Sequence, residues 1–196
     1  GFAGNKSLAL VAQKVGRGGW RRDFTVFLRE RLAGAKPQSF HKRVVDFVRR
    51  HKIKSLITTA YDNLLQRAFA EEDILVECVW KDSQFAVALP DLPLLIQLYG
   101  NPLADVESLV ITEDDHLDLW RDQRRENVLD EVKRILQRNT MLFLGYNLGD
   151  PDFLLLWREI LNRSGPLHRQ AFAVWSGLSE AAVEIWADRG IIILED

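Results

Sequence analysis

The chain has a single cysteine, Cys78, so no internal disulfide can form and a reducing compartment, the cytoplasm, is expected. Cys78 lies in the mostly apolar run Ile74–Trp80, which marks it as a core thiol rather than a nucleophile. No uninterrupted apolar run approaches the roughly 18 residues that a membrane span needs. The opening Gly1-Phe2-Ala3-Gly4 lacks the basic start and long apolar stretch of a signal peptide. The common nucleotide fingerprints are missing too. No Gly-x-Gly-x-x-Gly follows a strand pattern, there is no Gly-x-x-x-x-Gly-Lys-Ser/Thr, and Gly16-Arg17-Gly18-Gly19 follows a helical pattern instead. The four histidines, His41, His51, His116 and His168, are scattered without metal-ligand spacing. No serine sits in a Gly-x-Ser-x-Gly turn.

What remains is a chain of 196 residues, 47% hydrophobic, long enough for one well-buried domain and short for two. Its net charge of -2 conceals an asymmetry. Residues 1–67 carry 15 Lys/Arg against 4 Asp/Glu, whereas residues 68–196 carry 11 against 24. A basic half attracts phosphates or nucleic acid, but these cations are spread over several helical patterns rather than clustered with aromatics. Mutual neutralisation across solvated faces is the preferred reading, and a nucleic-acid partner is not expected.

Helical periodicity marks Asn5–Val15 and Trp20–Ala33, the latter with Phe24, Phe27, Leu28 and Leu32 on one face. His41–His51 follows, with Val44, Val45, Phe47 and Val48 apolar and Arg43, Arg49 and Arg50 outward. The pattern then alternates. Strands are expected at Lys54–Thr59, Ile74–Trp80, Phe85–Leu89, Leu94–Leu98, Leu109–Thr112, Met141–Gly145, Ala171–Trp175 and Ile191–Leu194. The second and third of these suggest a hairpin around Lys81-Asp82-Ser83. Helices are expected at Asn63–Ala70, His116–Arg121, Glu126–Arg138, Pro151–Asn162 and Glu180–Asp188. Such alternation predicts an α/β fold of Rossmann-like, three-layer type around a mainly parallel sheet covered on both faces.

Two strand–turn–helix units, Ser55–Phe69 and Thr140–Trp157, carry most of the functional signal. Their turns fall at the carboxyl ends of strands, where open α/β sheets bind ligands. In Gly145–Pro151, Gly145 permits a tight exit, Asp150 is a helix cap and Pro151 suits the first helical position. Free amides at that helix end would favour a phosphate or a ribose hydroxyl. Thr58–Asp62 repeats the arrangement with Asp62 as the cap. A plain structural turn explains either one alone; two of them favour a ligand crevice. Asp114 and Asp115, at the start of a helix, read as complements to its dipole.

Taken in order, these segments resemble the sirtuin-like NAD-consuming domains of bacterial antiviral defence proteins. That family shows Thr-Thr-Asn-Tyr-Asp at a strand end, then Lys-Leu-His-Gly, Val-Leu-Thr-Glu-Asp-Asp-Tyr and a Gly-Tyr-Ser-Leu-x-Asp turn. The matching stretches here are Thr58–Asp62, Gln97–Gly100, Val110–His116 and Gly145–Asp150, within a similarity running from about Phe24 to the end. The resemblance implies NAD as substrate or ligand, bound by Thr58, Thr59, Asp62, Gly100, Gly145, Asn147 and Asp150. Gly1 and Phe2 would belong to the tail of the family's phosphate-wrapping Gly-Ala-Gly loop, so the first strand is expected to be missing. Residues 1–196 would then form one sirtuin-like domain, N-terminally incomplete, of a longer multidomain protein. A homo-oligomer is an implication of the same kind.

The departures matter more. The family's catalytic asparagine is Ala60 here and its histidine is Tyr99. Alanine offers no hydrogen bond, and a phenol with a pKa near ~10 is a poor base at neutral pH. The serine of the last turn is Asn147, which still hydrogen-bonds a ribose. Natural degeneration and deliberate inactivation both explain the pair, and the coherent segment Ile96–Asn101 favours the former. The resemblance thus implies a catalytically impaired NAD glycohydrolase domain, with a non-catalytic nucleotide-sensing or assembly module as the alternative.

Overall fold

The computed structural model describes residues 20–119, 125–165 and 168–195. Gly1, Phe2, the Asn5–Val15 helix and the Gly16–Gly19 breaker lie outside these residues. The chain divides into two compact units, one ending at Leu129 and the other beginning at Asp130.

The first unit opens with α1 (Trp20–Ala33) and α2 (Ser39–His51). Within α1 Thr25 is buried, and its hydroxyl donates to the Arg21 carbonyl at 2.7 Å, while Phe27 lies half in solvent. The expected apolar face therefore loses Phe27. Along α2, Val45 and Val48 are buried but Phe47 is exposed and packs on the His51 ring. Next come β1 (Ser55–Thr58), α3 (Leu64–Glu71), β2 (Glu77–Val79), α4 (Asp82–Phe85) and β3 (Leu94–Gln97). The core is built where α2 and α3 cover the sheet: Val45, Val48, Ala68 and Phe69 are buried, and Leu56, Leu65 and Ile74 pack against them. All pairings are parallel in the order β1-β3-β2, with Thr58 opposite Gln97 and Val79 opposite Ile96.

Two expected strands are corrected. Phe85–Leu89 is not a strand, and no hairpin forms at Lys81–Ser83. Asp82–Phe85 is a helical turn, because the Gln84 side chain accepts from the Trp80 and Lys81 amides at 2.9 and 3.1 Å. Leu109–Thr112 is buried yet extended without a ladder. The Val110 amide donates to the Tyr99 carbonyl, and the Ile111 and Thr112 amides donate to the Asp115 carboxylate. With the backbone donors so satisfied, no neighbouring strand is required. A short 3-10 turn, Val106–Ser108, precedes this run, and α5 (Glu113–Leu119) begins at Glu113 rather than His116, while Trp120 and Arg121 lie outside the described residues.

Helix α6 (Glu126–Arg138) crosses the boundary between the units. Beyond it lie β4 (Met141–Leu144), α7 (Pro151–Ser164), β5 (Ala171–Val174), α8 (Glu180–Asp188) and β6 (Ile191–Leu194). These strands form a second parallel sheet in the order β4-β5-β6. The class expected from the sequence, α/β with parallel strands, is what is observed, although the described strands form two three-stranded sheets instead of one. Phe143, Phe153 and Trp157 cluster at centroid distances of 5.2–6.1 Å, and the Trp157 indole donates to the Arg189 carbonyl at 2.8 Å. Among the described residues no helix is long and apolar enough to cross a membrane.

Candidate functional site

Parallel pairing of β1 with β3 delivers two candidate segments to one sheet edge, because Thr58 and Gln97 are in register and both chains leave there. The Leu98 amide still donates to the Thr58 carbonyl at 2.8 Å, one step past the ladder. Beyond that point the Thr58 hydroxyl accepts from the Ala60 amide at 3.1 Å, turning the chain outward. Thr59 is half-buried and the methyl of Ala60 is exposed. The Asp62 carboxylate accepts from the Leu64 amide at 2.9 Å. It thus caps α3 from just outside, although the formal cap position is Asn63.

Tyr99, by contrast, is buried at 7% exposure. Its ring stands 5.0 Å from the His116 ring, edge to face, and 6.5 Å from that of Tyr61. The Tyr61 hydroxyl donates to the Val110 carbonyl. The turn after Tyr99 is rigid. Gly100 sits at φ +88, and the amide of buried Asn101 donates to the Ser108 hydroxyl at 3.0 Å. The Asn101 side chain donates to Gln97 at 2.9 Å and accepts from the Leu103 and Ala104 amides. Arg125, 4% exposed, donates to the Leu98 carbonyl at 3.0 Å and to that of Ser108. Such a buried guanidinium is tolerable because backbone acceptors receive it.

Helix α5 begins on a reciprocal cap. The Thr112 hydroxyl accepts from the Asp115 amide at 3.0 Å while the Asp115 carboxylate accepts from the Thr112 amide at 2.8 Å. Arg21 of α1 donates to Asp115 and, at 2.9 Å, to the Leu109 carbonyl. Burial would raise the Asp115 pKa, but the Thr112 and Ile111 amides and Arg21 outweigh it and hold the carboxyl below its ordinary range. The stabilisation is therefore complete above the unfolded carboxylate range of about 4 and lost as pH falls through the lower folded value. We expect Asp115→Asn to lower Tm by a few degrees at pH 7, with the gap from wild type closing below about pH 4. Thermal melts across pH 3–7 read this directly. The acidic run of α5 is thus more than a dipole complement, and the Thr-x-x-Asp spacing was the available signal. Nothing local in the sequence pointed to Arg125.

Cys78 is half-buried, and burial, followed by the Glu77 charge, pushes its thiol up to about 11, which keeps it protonated and inert.

In the second unit Gly145 takes φ +60 at the end of β4, the tight exit expected of it. Asn147 is exposed; its side chain accepts from the Gly149 amide at 3.1 Å and its carbonyl from the Asp150 amide at 2.9 Å. Asp150 caps α7, accepting from the Asp152 and Phe153 amides at 2.9 and 3.3 Å. Those two amides are consequently engaged, and an approaching phosphate would meet a carboxylate. Carboxylate lone pairs instead suit ribose hydroxyls. Asp150→Ala should cost about 1 kcal/mol and Asp150→Ser much less, since serine also caps; denaturant unfolding of the two variants is the check.

Strand-end turns opening from parallel sheets, a capped helix after each, and the ordered motifs upon them define the class. The chain belongs to the family of SIR2-like domains, whose model matches residues 54–194. Over 108 residues it is 28% identical to NAD(+) hydrolase ThsA of Enterococcus faecium, an alignment covering 55% of this chain and 22% of that protein. The aligned segment therefore spans less than a quarter of that relative's length.

Proposed function

We propose that this chain is the NAD-binding domain of a bacterial defence protein, descended from NAD hydrolases and impaired in turnover. The observation that carries the reading is the pair of residues that follow the in-register ends of β1 and β3, an exposed methyl at Ala60 and a buried phenol at Tyr99, inside a SIR2-like match running from residue 54 to 194. Because that match runs across both units, we treat them as one domain, itself part of a longer cytoplasmic protein. By the motif resemblance, the NAD-binding positions are Thr58, Thr59, Asp62 and Gly100 in the first unit and Gly145, Asn147 and Asp150 in the second, with Gly1 and Phe2 outside the described residues. The donor set fits ribose better than phosphate. Asp62, Asn147 and Asp150 offer acceptors for hydroxyls, whereas the amides of Asp152 and Phe153 are already bonded.

In the reaction, the bond from ribose C1′ to the nicotinamide nitrogen breaks with its electron pair leaving on nicotinamide. Water then adds to C1′ and surrenders a proton. Ala60 has no group to orient that water, and a phenol is in general a poorer base than an imidazole. Each missing group costs about 10²–10⁴-fold in rate. A second reading, a nucleotide-sensing or assembly module, keeps the same ligand without the chemistry and draws on the same two residues. Nicotinamide release by the full-length protein separates them. Slow but measurable release that depends on protein concentration supports an impaired hydrolase; none, with ADP-ribose still bound, supports a sensor. Partners in either case are NAD or ADP-ribose, neighbouring domains and a second copy of the chain.

A further inference from the structure

We propose that the outward face of α2 is a binding surface for single-stranded nucleic acid. Periodicity places Phe47 with Val44, Val45 and Val48 on the apolar face, but the structure puts Val45 and Val48 in the core and turns Phe47 out. Phe40 is exposed as well, at 53% against 40% for Phe47. On a helix of about 3.6 residues per turn, Phe40, Arg43, Phe47 and Arg50 fall within one stripe about 80° wide, opposite the buried valines. Phenyl and guanidinium therefore alternate along this surface, so the cations of the basic half are here interleaved with aromatics. Each ring has an imidazole of the same helix beside it, Phe40 at 5.8 Å from His41 and Phe47 at 4.4 Å from His51. None of these residues is among those assigned to NAD, and the surface stands apart from that reading.

Charge selects a polyanion. Residues 39–52 carry Lys42, Arg43, Arg49, Arg50 and Lys52 against the single carboxylate of Asp46. Asp46 pairs with Arg49 and Arg50 at 2.8 Å, and Lys42 with Glu71 at 3.2 Å, but these pairs lie at the surface, where they are weak enough to exchange for phosphate. Arg43 stands exposed between the two rings. The groove beside α2 is lined by Asp46 and Glu72 as well as by Lys42, Arg43 and Arg49, so a phosphate backbone fits along the stripe rather than in the groove. Phe40 and Phe47 are two turns, or ~10.5 Å, apart with a guanidinium between them. That spacing suits separate unpaired bases, each stacking by its own π-face, which a duplex keeps hidden. An anionic membrane suits the stripe less, because a membrane-surface helix buries a continuous apolar face and that of α2 is already packed on α3.

Fluorescence anisotropy of the full-length protein with labelled oligo-dT is the test. Saturable binding is expected that weakens as salt rises from about 50 to 200 mM, with a slope of log K against log salt of about -0.7 per phosphate neutralised. Phe40→Ala or Phe47→Ala should weaken binding about 5–150-fold and leave that slope unchanged, whereas Arg43→Gln should flatten it by about 0.7. The same strand annealed to oligo-dA should bind more weakly. All three side chains are exposed, so the variants should melt with the wild type, which circular dichroism checks. Leu155→Ala, at an exposed apolar position of the second unit, should bind as the wild type does. No binding by the folded protein at the lower salt overturns the proposal, and so does binding that all three α2 substitutions leave unchanged. Capture by phosphatidylserine vesicles that Phe47→Ala abolishes, without binding of oligo-dT, would make α2 a membrane surface and overturn it equally.

Discussion

Full-length protein carrying Ala60→Asn together with Tyr99→His is expected to release nicotinamide from NAD at least about 10²–10⁴-fold faster than the unaltered chain. The gain arises at two atoms. Asparagine at 60, at the end of β1, would place an amide where the structure now exposes a methyl, able to hold the attacking water. Histidine at 99 would add an imidazole at the end of β3, in register with β1, where a buried phenol now stands. Neither change introduces a charge or a larger ring into the core, so folding should persist. Comparison with Ala60→Asn alone and with Tyr99→His alone apportions the effect between the two positions. Nicotinamide release followed by chromatography is the measurement, and a double variant that binds ADP-ribose but never exceeds the wild type contradicts the hydrolase descent.

The second large effect is structural. At Gly100, φ is +88, and a Cβ there would stand 2.1 Å from the Ser108 carbonyl oxygen and 2.5 Å from its carbon. This neighbour cannot yield. Its hydroxyl binds the Asn101 amide and the Asp105 carbonyl, its own carbonyl accepts from Arg125, and Val110 two residues on is tied to Tyr99. Left-handed strain and overpacking together should cost about 2–5 kcal/mol on Gly100→Ala. For a chain of this length that corresponds to a Tm lower by roughly 5–15 °C. A melt within about 2 °C of wild type would mean that the turn after Tyr99 is not held as described.

Much of this architecture is legible in the residues. Trp20–Ala33, Glu126–Arg138, Glu180–Asp188 and Ile191–Leu194 have the bounds that periodicity assigns them, because their patterns are long or their stops unambiguous. The motif-bearing turns also lie at strand ends as expected. What was not legible depends on distant partners. Asp82 looks like a hairpin residue, yet its carboxylate accepts from the Asn127 and Val128 amides, 45 and 46 residues away. Leu109–Ile111 has the apolar run of a strand and is as buried as one, but its hydrogen bonds go to Tyr99, Val106 and Asp115. Arg125 likewise gains its place under the Leu98–Asn101 turn only through backbone carbonyls. At the candidate site the sequence resemblance singles out Ala60 and Tyr99, and only the fold brings His116 against the latter.

The central claim is that this SIR2-like chain holds NAD or its ADP-ribose portion at these strand ends. Calorimetric titration of ADP-ribose into the full-length protein tests it most directly. The account predicts saturable heat at one site per chain, weakened at least about 10-fold by Asn147→Ala, whose side chain bonds only within its own exposed turn. Absence of heat at millimolar ligand, with the protein folded, would contradict it.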